Sequence, residues 1–255
     1  MFDLKKFVHR NRRFVSGLGL ILVVLLIFWA VSSPAIVGVS ATQRSLPVYS
    51  VERGDNCVAL SFDAAWGNED TQTLIDILDR YGVNTTFFVV GDWVDKYPES
   101  VKALADAGNE VMNHSSSHAH FSSLSNDQIA ADITACNEKI AAITGVTPTL
   151  FRCPYGEYDD HVINGVKALG MTAVQWDVDS LDWKGISAQE IQQRVLKNVR
   201  SGSIILFHNA AEHTPEALPG IIEALQADGY TIVPVSQLLL QGDTSIDNAG
   251  RQWVK

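Results

Sequence analysis

Between Val58 and Val233 the chain alternates strand-like and helix-like segments almost without interruption, and this alternation limits its fold more than any other feature. Val58-Phe62 is an apolar run of strand character. The helix predicted next, Glu69-Arg80, places Leu74, Ile77 and Leu78 on one face and has Gly82 beyond its end. Further strands are predicted at Thr85-Val90, Glu110-Asn113, Thr149-Arg152, Met171-Trp176, Ser203-Phe207 and Tyr230-Val233, making seven. Helices are predicted at Pro98-Ala107, Asn126-Ile143, Asp160-Leu169, Ala188-Val199 and Glu216-Ala227. Strict strand-then-helix order implies a parallel sheet with helical crossovers, either a closed or partly closed barrel or an open doubly wound sheet. The first strand runs into Phe62-Asp63-Ala64-Ala65-Trp66-Gly67, which lacks the glycines of a phosphate-binding loop, so the barrel is preferred.

Ahead of this pattern, Lys5, Lys6, Arg10, Arg12 and Arg13 precede an uncharged apolar run from Val15 to Val39. A run of that length can span a bilayer, with the basic flank in the cytoplasm. A signal peptide cleaved near Val39-Ser40-Ala41 is the alternative, although the run is long for one. The expected organisation is a basic cytoplasmic segment (1–14), a transmembrane anchor or signal (15–39), a linker (40–54), the α/β domain (55–240) and a polar tail (241–255) lying loosely on the surface. The domain is then extracytoplasmic, on a single-pass membrane protein or secreted after cleavage. Of 19 Lys+Arg and 29 Asp+Glu, the first 31 residues hold five and one, leaving 14 against 28, or about −14, for the rest. Such a balance argues against nucleic acid and favours a neutral substrate. The three cysteines, Cys57, Cys136 and Cys153, match no zinc ribbon or redox spacing and are read as buried apolar thiols.

Ionisable residues gather just past the predicted strand ends: Asp63, His114 and His118, Arg152, Asp179 and Asp182, and His208. In a barrel these ends meet on one face. His114 and His118 stand four apart, a spacing that lets two imidazoles reach one metal if the segment makes a helical turn; a solvated Ser/His loop is the plain alternative. An Asp from a neighbouring strand end would complete an open zinc-type site. Asp63 follows an apolar strand, so it either caps a loop or is held charged, with Arg152 as the candidate cation. Asp182 could orient His208 and raise its pKa to that of a general acid near neutrality. Trp66, Tyr155, Trp176 and Trp183 fall near the same rim, where Tyr155 and Trp183 are the favoured surfaces for a sugar ring.

Read in order, Ser61-Phe62-Asp63, His114-Ser115-Ser116-Ser117-His118, Arg152-Cys153-Pro154-Tyr155-Gly156, Asp179-Ser180-Leu181-Asp182-Trp183 and Leu206-Phe207-His208 resemble the five motifs of the polysaccharide deacetylase (NodB-homology) family. With its anchor and compact domain, the chain is similar to sporulation and cell-wall deacetylases of Gram-positive bacteria. The resemblance implies a distorted (β/α)7 barrel and hydrolysis of N-acetyl groups on amino sugars of a cell-wall glycan, with peptidoglycan, including that of the spore cortex, favoured over chitin oligomers. It implies Asp63 as general base, Arg152 holding it, His114 and His118 as metal ligands, His208 as general acid and Asp182 as its tuner. Tyr155 would offer its backbone N–H to the oxyanion, and Leu206 would line the pocket for the acetyl methyl.

One departure stands out. Metal-dependent members read Asp-Asp at the first motif, whereas this chain has Ala64. A divalent ion, zinc first, is expected to bind less tightly, unless Glu69, Asp70 or His120 supplies the missing ligand. A glycan-binding relative without turnover is one rival reading, opposed by the retained acid/base set. A glycosidase using Asp63 and Asp179 is another, and it leaves the histidine pair unexplained.

Overall fold

The structure, a computed structural model, describes residues 12–32 and 44–255. It divides into two units, Met1–Gln43 and Arg44–Lys255. In the first, helix α1 (Arg12–Ser32) is 21 residues long. The side chains from Leu20 to Trp29 are all more than half exposed. Among the described residues no helix is long and apolar enough to cross a membrane. The expected anchor overlaps α1 over residues 15–32; its remainder, 33–39, lies outside the described residues, as do 1–11 and 40–43.

The second unit carries strands β1 (Ser50–Val51), β2 (Cys57–Ala64), β3 (Thr86–Val89), β4 (Glu110–Asn113), β5 (Leu150–Phe151), β6 (Thr172–Ala173), β7 (Val178–Asp179), β8 (Ile204–His208), β9 (Thr231–Ile232), β10 (Thr244–Ile246) and β11 (Arg251–Val254). Its helices are α2 (Thr71–Arg80), α3 (Gly91–Lys96), α4 (Pro98–Asp106), α5 (Asn126–Thr144), α6 (Asp160–Ala168), α7 (Ala188–Asn198), α8 (Thr214–Ala227) and α9 (Val235–Leu238). Several boundaries follow from local chemistry. Ser125 and Gln128 form a capping box that opens α5, and Ser187 with Glu190 does the same for α7. Gly145, at φ 74°, closes α5 in the left-handed conformation.

Strands β6-β5-β4-β3-β2-β8-β7 pair in that order, and β9 adds to the lower part of β2. All these pairs are parallel. The sheet is therefore a half-barrel, the partly closed of the two expected barrel forms, with β6 and β7 as its edges. It has eight strands rather than seven because β7 is a separate two-residue strand beside β8, too short to carry a pattern.

β2 shows why the chain folds as two layers. Val58, Leu60, Phe62 and Ala64 belong to the large apolar cluster with Leu74, Leu78, Ile191 and Ile221 of the covering helices. Ala59 belongs to a second cluster with Phe88, Met112, Leu150 and Ile204, filled by Val48, Val51, Val235 and Leu238. The same alternation turns Ser61 and Asp63 toward the inner side, where the site is built.

Two expected boundaries are corrected. Val48 and Val51, in the expected linker, are buried core residues. The tail expected to lie loosely instead forms the β10–β11 hairpin, whose β11 pairs in parallel with β1. Gln252 explains the difference: buried, it donates from Nε2 to the Leu240 carbonyl and accepts the Leu240 N–H on Oε1. A polar side chain with both amide functions paired is as much a core residue as an apolar one.

Candidate active site

The C-terminal ends of β2, β4, β5, β7 and β8 surround a pocket of about 440 Å³, lined among others by Asp63, His114, His118, Tyr155, Trp183, Leu206 and His208. Five of the six non-glycine residues with positive φ among the described residues sit in the loops of this rim: Ser115, His118, Tyr155, Leu181 and Ala210. Left-handed backbone at non-glycine positions costs energy, and its concentration here marks loops held in place by their surroundings.

Asp63 is buried beside a fully buried Arg152, with Nη1 2.7 Å from Oδ1. Arg152 is itself fixed, donating through Nη2 to Ser61 Oγ (2.9 Å) and to the Gln175 carbonyl (3.3 Å), with its guanidinium 4.0 Å above the Phe88 ring. Burial pushes the Asp63 pKa upward, but the Arg152 charge outweighs it and holds the carboxyl below its ordinary value. The carboxylate does not cap a loop. Ser61 was not singled out as a site residue, although its position two before Asp63 puts both on one face of the strand.

His114 is buried, with Nδ1 2.8 Å from the Arg152 carbonyl and Nε2 3.4 Å from Asp63 Oδ2. Donation to that carbonyl makes Nδ1 the protonated nitrogen and leaves the Nε2 lone pair facing the pocket. The segment to His118 is not the helical turn expected from the spacing, because Ser115 and His118 have φ of 72° and 55°. The loop nevertheless brings the two imidazoles edge to face at 4.9 Å. Burial lowers the His114 pKa, and lowers that of His118 to about 4, so both rings are neutral near pH 7.

These two nitrogens do not make a complete metal centre. Among the described residues no group of three or more His, Cys, Asp or Glu is placed to hold an ion. Ala64 contributes a methyl packed in the outer apolar cluster. Of the expected substitutes, Glu69 accepts the Asn68 N–H, Asp70 accepts the Ala210 N–H, and His120 pairs with Glu157 at 2.7 Å. The donor set falls one short of the three protein ligands of an open zinc site.

On the opposite wall, His208 Nδ1 lies 2.8 Å from Asp182 Oδ1. Asp182 is buried and accepts three further hydrogen bonds, from the N–H of His208, the N–H of Trp183 and Thr214 Oγ1. Burial lowers the His208 pKa, and the hydrogen bond and charge of Asp182 more than reverse this, so the net shift is upward. Nδ1 being engaged, Nε2 is the nitrogen that carries a transferable proton. Thr214, at the start of α8, was missed because nothing local to it in sequence refers to Asp182.

The rim residues differ in exposure. Tyr155 and Trp183 are 62% and 54% exposed, as suits aromatic surfaces offered to a ligand. Tyr155 is wedged between two imidazoles, edge-on to His118 and stacked on His120, each at 4.4 Å. Leu206 lies on the pocket wall. The three cysteines are free and buried.

The chain is similar to known proteins in both sequence and fold. Residues 50–174 match the family model described as polysaccharide deacetylase. The chain is 36% identical over 189 residues to the peptidoglycan-N-acetylmuramic acid deacetylase PdaC of Bacillus subtilis, covering 74% of this chain and 40% of PdaC. It is 33% identical over 185 residues to a peptidoglycan-N-acetylglucosamine deacetylase of Bacillus cereus, covering 71% of this chain and 67% of that one. Among solved structures, the BA3943 protein of Bacillus anthracis superposes with a TM-score of 0.74 at 32% identity, covering 78% of this chain and 71% of that chain. It is described as a CE4 family pseudoenzyme, and a mutant of it as having restored enzymatic activity. Five ordered motifs, a half-barrel that brings them to one pocket, and these matches lead to one assignment: the chain belongs to the polysaccharide deacetylase family.

Proposed function

We propose that the chain hydrolyses N-acetyl groups on amino sugars of peptidoglycan, releasing acetate and leaving a free amine. The observation that carries this reading is a pair of opposed, separately stabilised groups on one pocket: a carboxylate whose ionised form Arg152 favours, and an imidazole whose protonated form Asp182 favours. Asp63 takes a proton from water as the water attacks the amide carbon. The oxyanion forms beside the Tyr155 backbone, the position the family uses as a donor, and such donors contribute several kcal/mol, on the order of 3. His208 then gives its Nε2 proton to the departing nitrogen as the C–N bond breaks, and acetate remains. Neither acid nor base alone suffices, which is why a purely glycan-binding role leaves this arrangement unexplained.

For the metal, we propose that a divalent ion such as zinc would be held by His114 and His118 with weak occupancy, since Ala64 brings no ligand. Peptidoglycan is chosen because PdaC and the Bacillus cereus relative are named for it. We also propose that the apolar run 15–39 anchors the chain in the cell membrane with the domain outside, supported by its basic flank and by the exposed apolar side chains of α1.

The test is acetate release by the full chain from purified peptidoglycan, from its muramic lactam-containing spore form and from chitin oligomers. Acetate from a peptidoglycan substrate is the expected result. Reducing ends without acetate would indicate a glycosidase, and no product a binding role. Retention in the membrane fraction after a carbonate wash is expected; a secreted product beginning near Thr42 would overturn the anchor.

A further inference from the structure

The indole of Trp66 lies over the imidazole of His208, with ring centroids 5.5 Å apart and planes 21° from parallel. This contact is more than a chance approach of two rim residues, because the turn that carries Trp66 is pinned to the residue following the histidine. Asn209 is buried and donates from Nδ2 to the carbonyls of Trp66 (2.6 Å) and Gly67 (2.7 Å), while its Oδ1 accepts the Ala65 N–H (3.3 Å). Trp93 Nε1 donates to the same Gly67 carbonyl at 2.6 Å. Gly67 has φ 55°, and a Cβ there would come within 2.5 Å of Glu69 Oε2 and 2.7 Å of Ala210 Cβ. Glycine is therefore required for the turn. Asn209 also donates its backbone N–H to the Asp63 carbonyl, so the strand of the base, the strand of the acid and the aromatic turn are tied at one point.

We propose that Trp66 is a positioning residue for the general acid: it fixes the plane of the His208 ring and stabilises its protonated form through the indole face. Asp182 holds Nδ1 from one edge, and Trp66 covers a face, so the ring cannot tilt without losing one contact. An indole face attracts a cation, and the attraction is lost when the imidazole is neutral. The ionisable groups acting on His208 are Asp182 from the turn after β7, Asp63 from β2 and Asp179 at the end of β7, all anionic, and His114 after β4, which lines the same pocket and opposes a second positive charge there. All four remain in place when Trp66 is changed, so the effect of the indole adds to theirs. Trp66 is 45% exposed, which leaves room for the competing role of a sugar platform, and the two roles separate cleanly.

The inference rests on the proposed hydrolysis for its kinetic readout and has a second readout that does not. In the full chain, the His208 pKa is measured by NMR titration in wild type, Trp66→Leu, Trp66→Met and Trp66→Phe, alongside kcat, KM and the pH profile of acetate release. Leu and Met are expected to lower the His208 pKa and the alkaline limb together by about 0.5 unit or more, equivalent to about 0.7 kcal/mol at 1.36 kcal/mol per unit. They should reduce kcat several-fold with KM within about twofold, and Phe, which keeps a π face, should restore most of both. A leucine or methionine variant that folds and leaves the His208 titration unmoved would overturn the proposal, and a rise in KM alone would identify Trp66 as a sugar platform. Absence of acetate release from wild type would sink the hydrolytic reading and leave the NMR comparison standing.

Discussion

Replacing Arg152 by Met keeps the volume of the side chain and removes its charge, which isolates what the guanidinium does for Asp63. Arg152 is fully buried and Asp63 nearly so, at 2.7 Å, with Ser61 Oγ and the Gln175 carbonyl as the other acceptors. Removing one partner of a buried pair typically costs about 3–5 kcal/mol. For a unit of this size, about 2–4 °C per kcal/mol gives a loss in Tm on the order of 6–20 °C. Asp63 escapes part of that cost by taking a proton. In the wild type its folded pKa is depressed, so its contribution to stability is present above the unfolded value and lost as pH falls through the folded one. In the variant, burial acts without the guanidinium and the sign reverses, so destabilisation should be larger at pH 8 than at pH 4. Unpaired buried carboxyls rise by up to about 3–5 units, which carries the acidic limb of activity toward neutrality. Thermal unfolding at the two pH values and acetate release across the pH range measure both effects. A Tm within about 2 °C of wild type together with an unmoved acidic limb would refute the claim that Arg152 holds the base ionised.

The other wall and the metal give further tests. Asp182→Asn removes the anion that raises the His208 pKa, so the alkaline limb of kcat should move to lower pH; an unchanged limb would show that Asp182 does not tune the acid. Ala64→Asp places a carboxylate where the methyl packs among apolar side chains, so it should lower Tm markedly, by the several kcal/mol of an unpaired buried charge, and a tightly bound ion in elemental analysis would instead show that the strand end can turn it toward the histidines. EDTA should strip any divalent ion readily and lower acetate release, and added zinc should restore it. Full activity of a metal-free His114→Ala, His118→Ala double variant would make the histidine pair structural.

Much of the fold was legible because strand-helix alternation is a long, repeated signal, and Glu110–Asn113 forms the strand read from the sequence. What escaped had no period to detect. β7 and α3 are two and six residues long, and the β1–β11 pairing joins residues about 200 apart, so neither leaves a local trace. The site was legible to the same degree. Charged residues ending apolar runs identified Asp63, Arg152 and His208, because a charge there requires a reason. The supporting residues Ser61, Thr214 and Asn209 are ordinary polar residues whose meaning lies in a partner 32 to 144 positions away. The spacing of His114 and His118 suggested a helical turn, but the left-handed backbone at Ser115 and His118 brings the rings together by another route.

The central claim is that Asp63 is the base of an amide hydrolysis, and acetate release by the Asp63→Asn variant tests it most directly. Asn keeps the shape and can still accept from Arg152, so the variant should fold with a lowered Tm because the buried guanidinium loses its counter-charge, retain its glycan affinity and lose turnover by about 10²-fold or more. Acetate release near the wild-type rate from the Asn variant, with purity confirmed and the fold intact, would contradict the account.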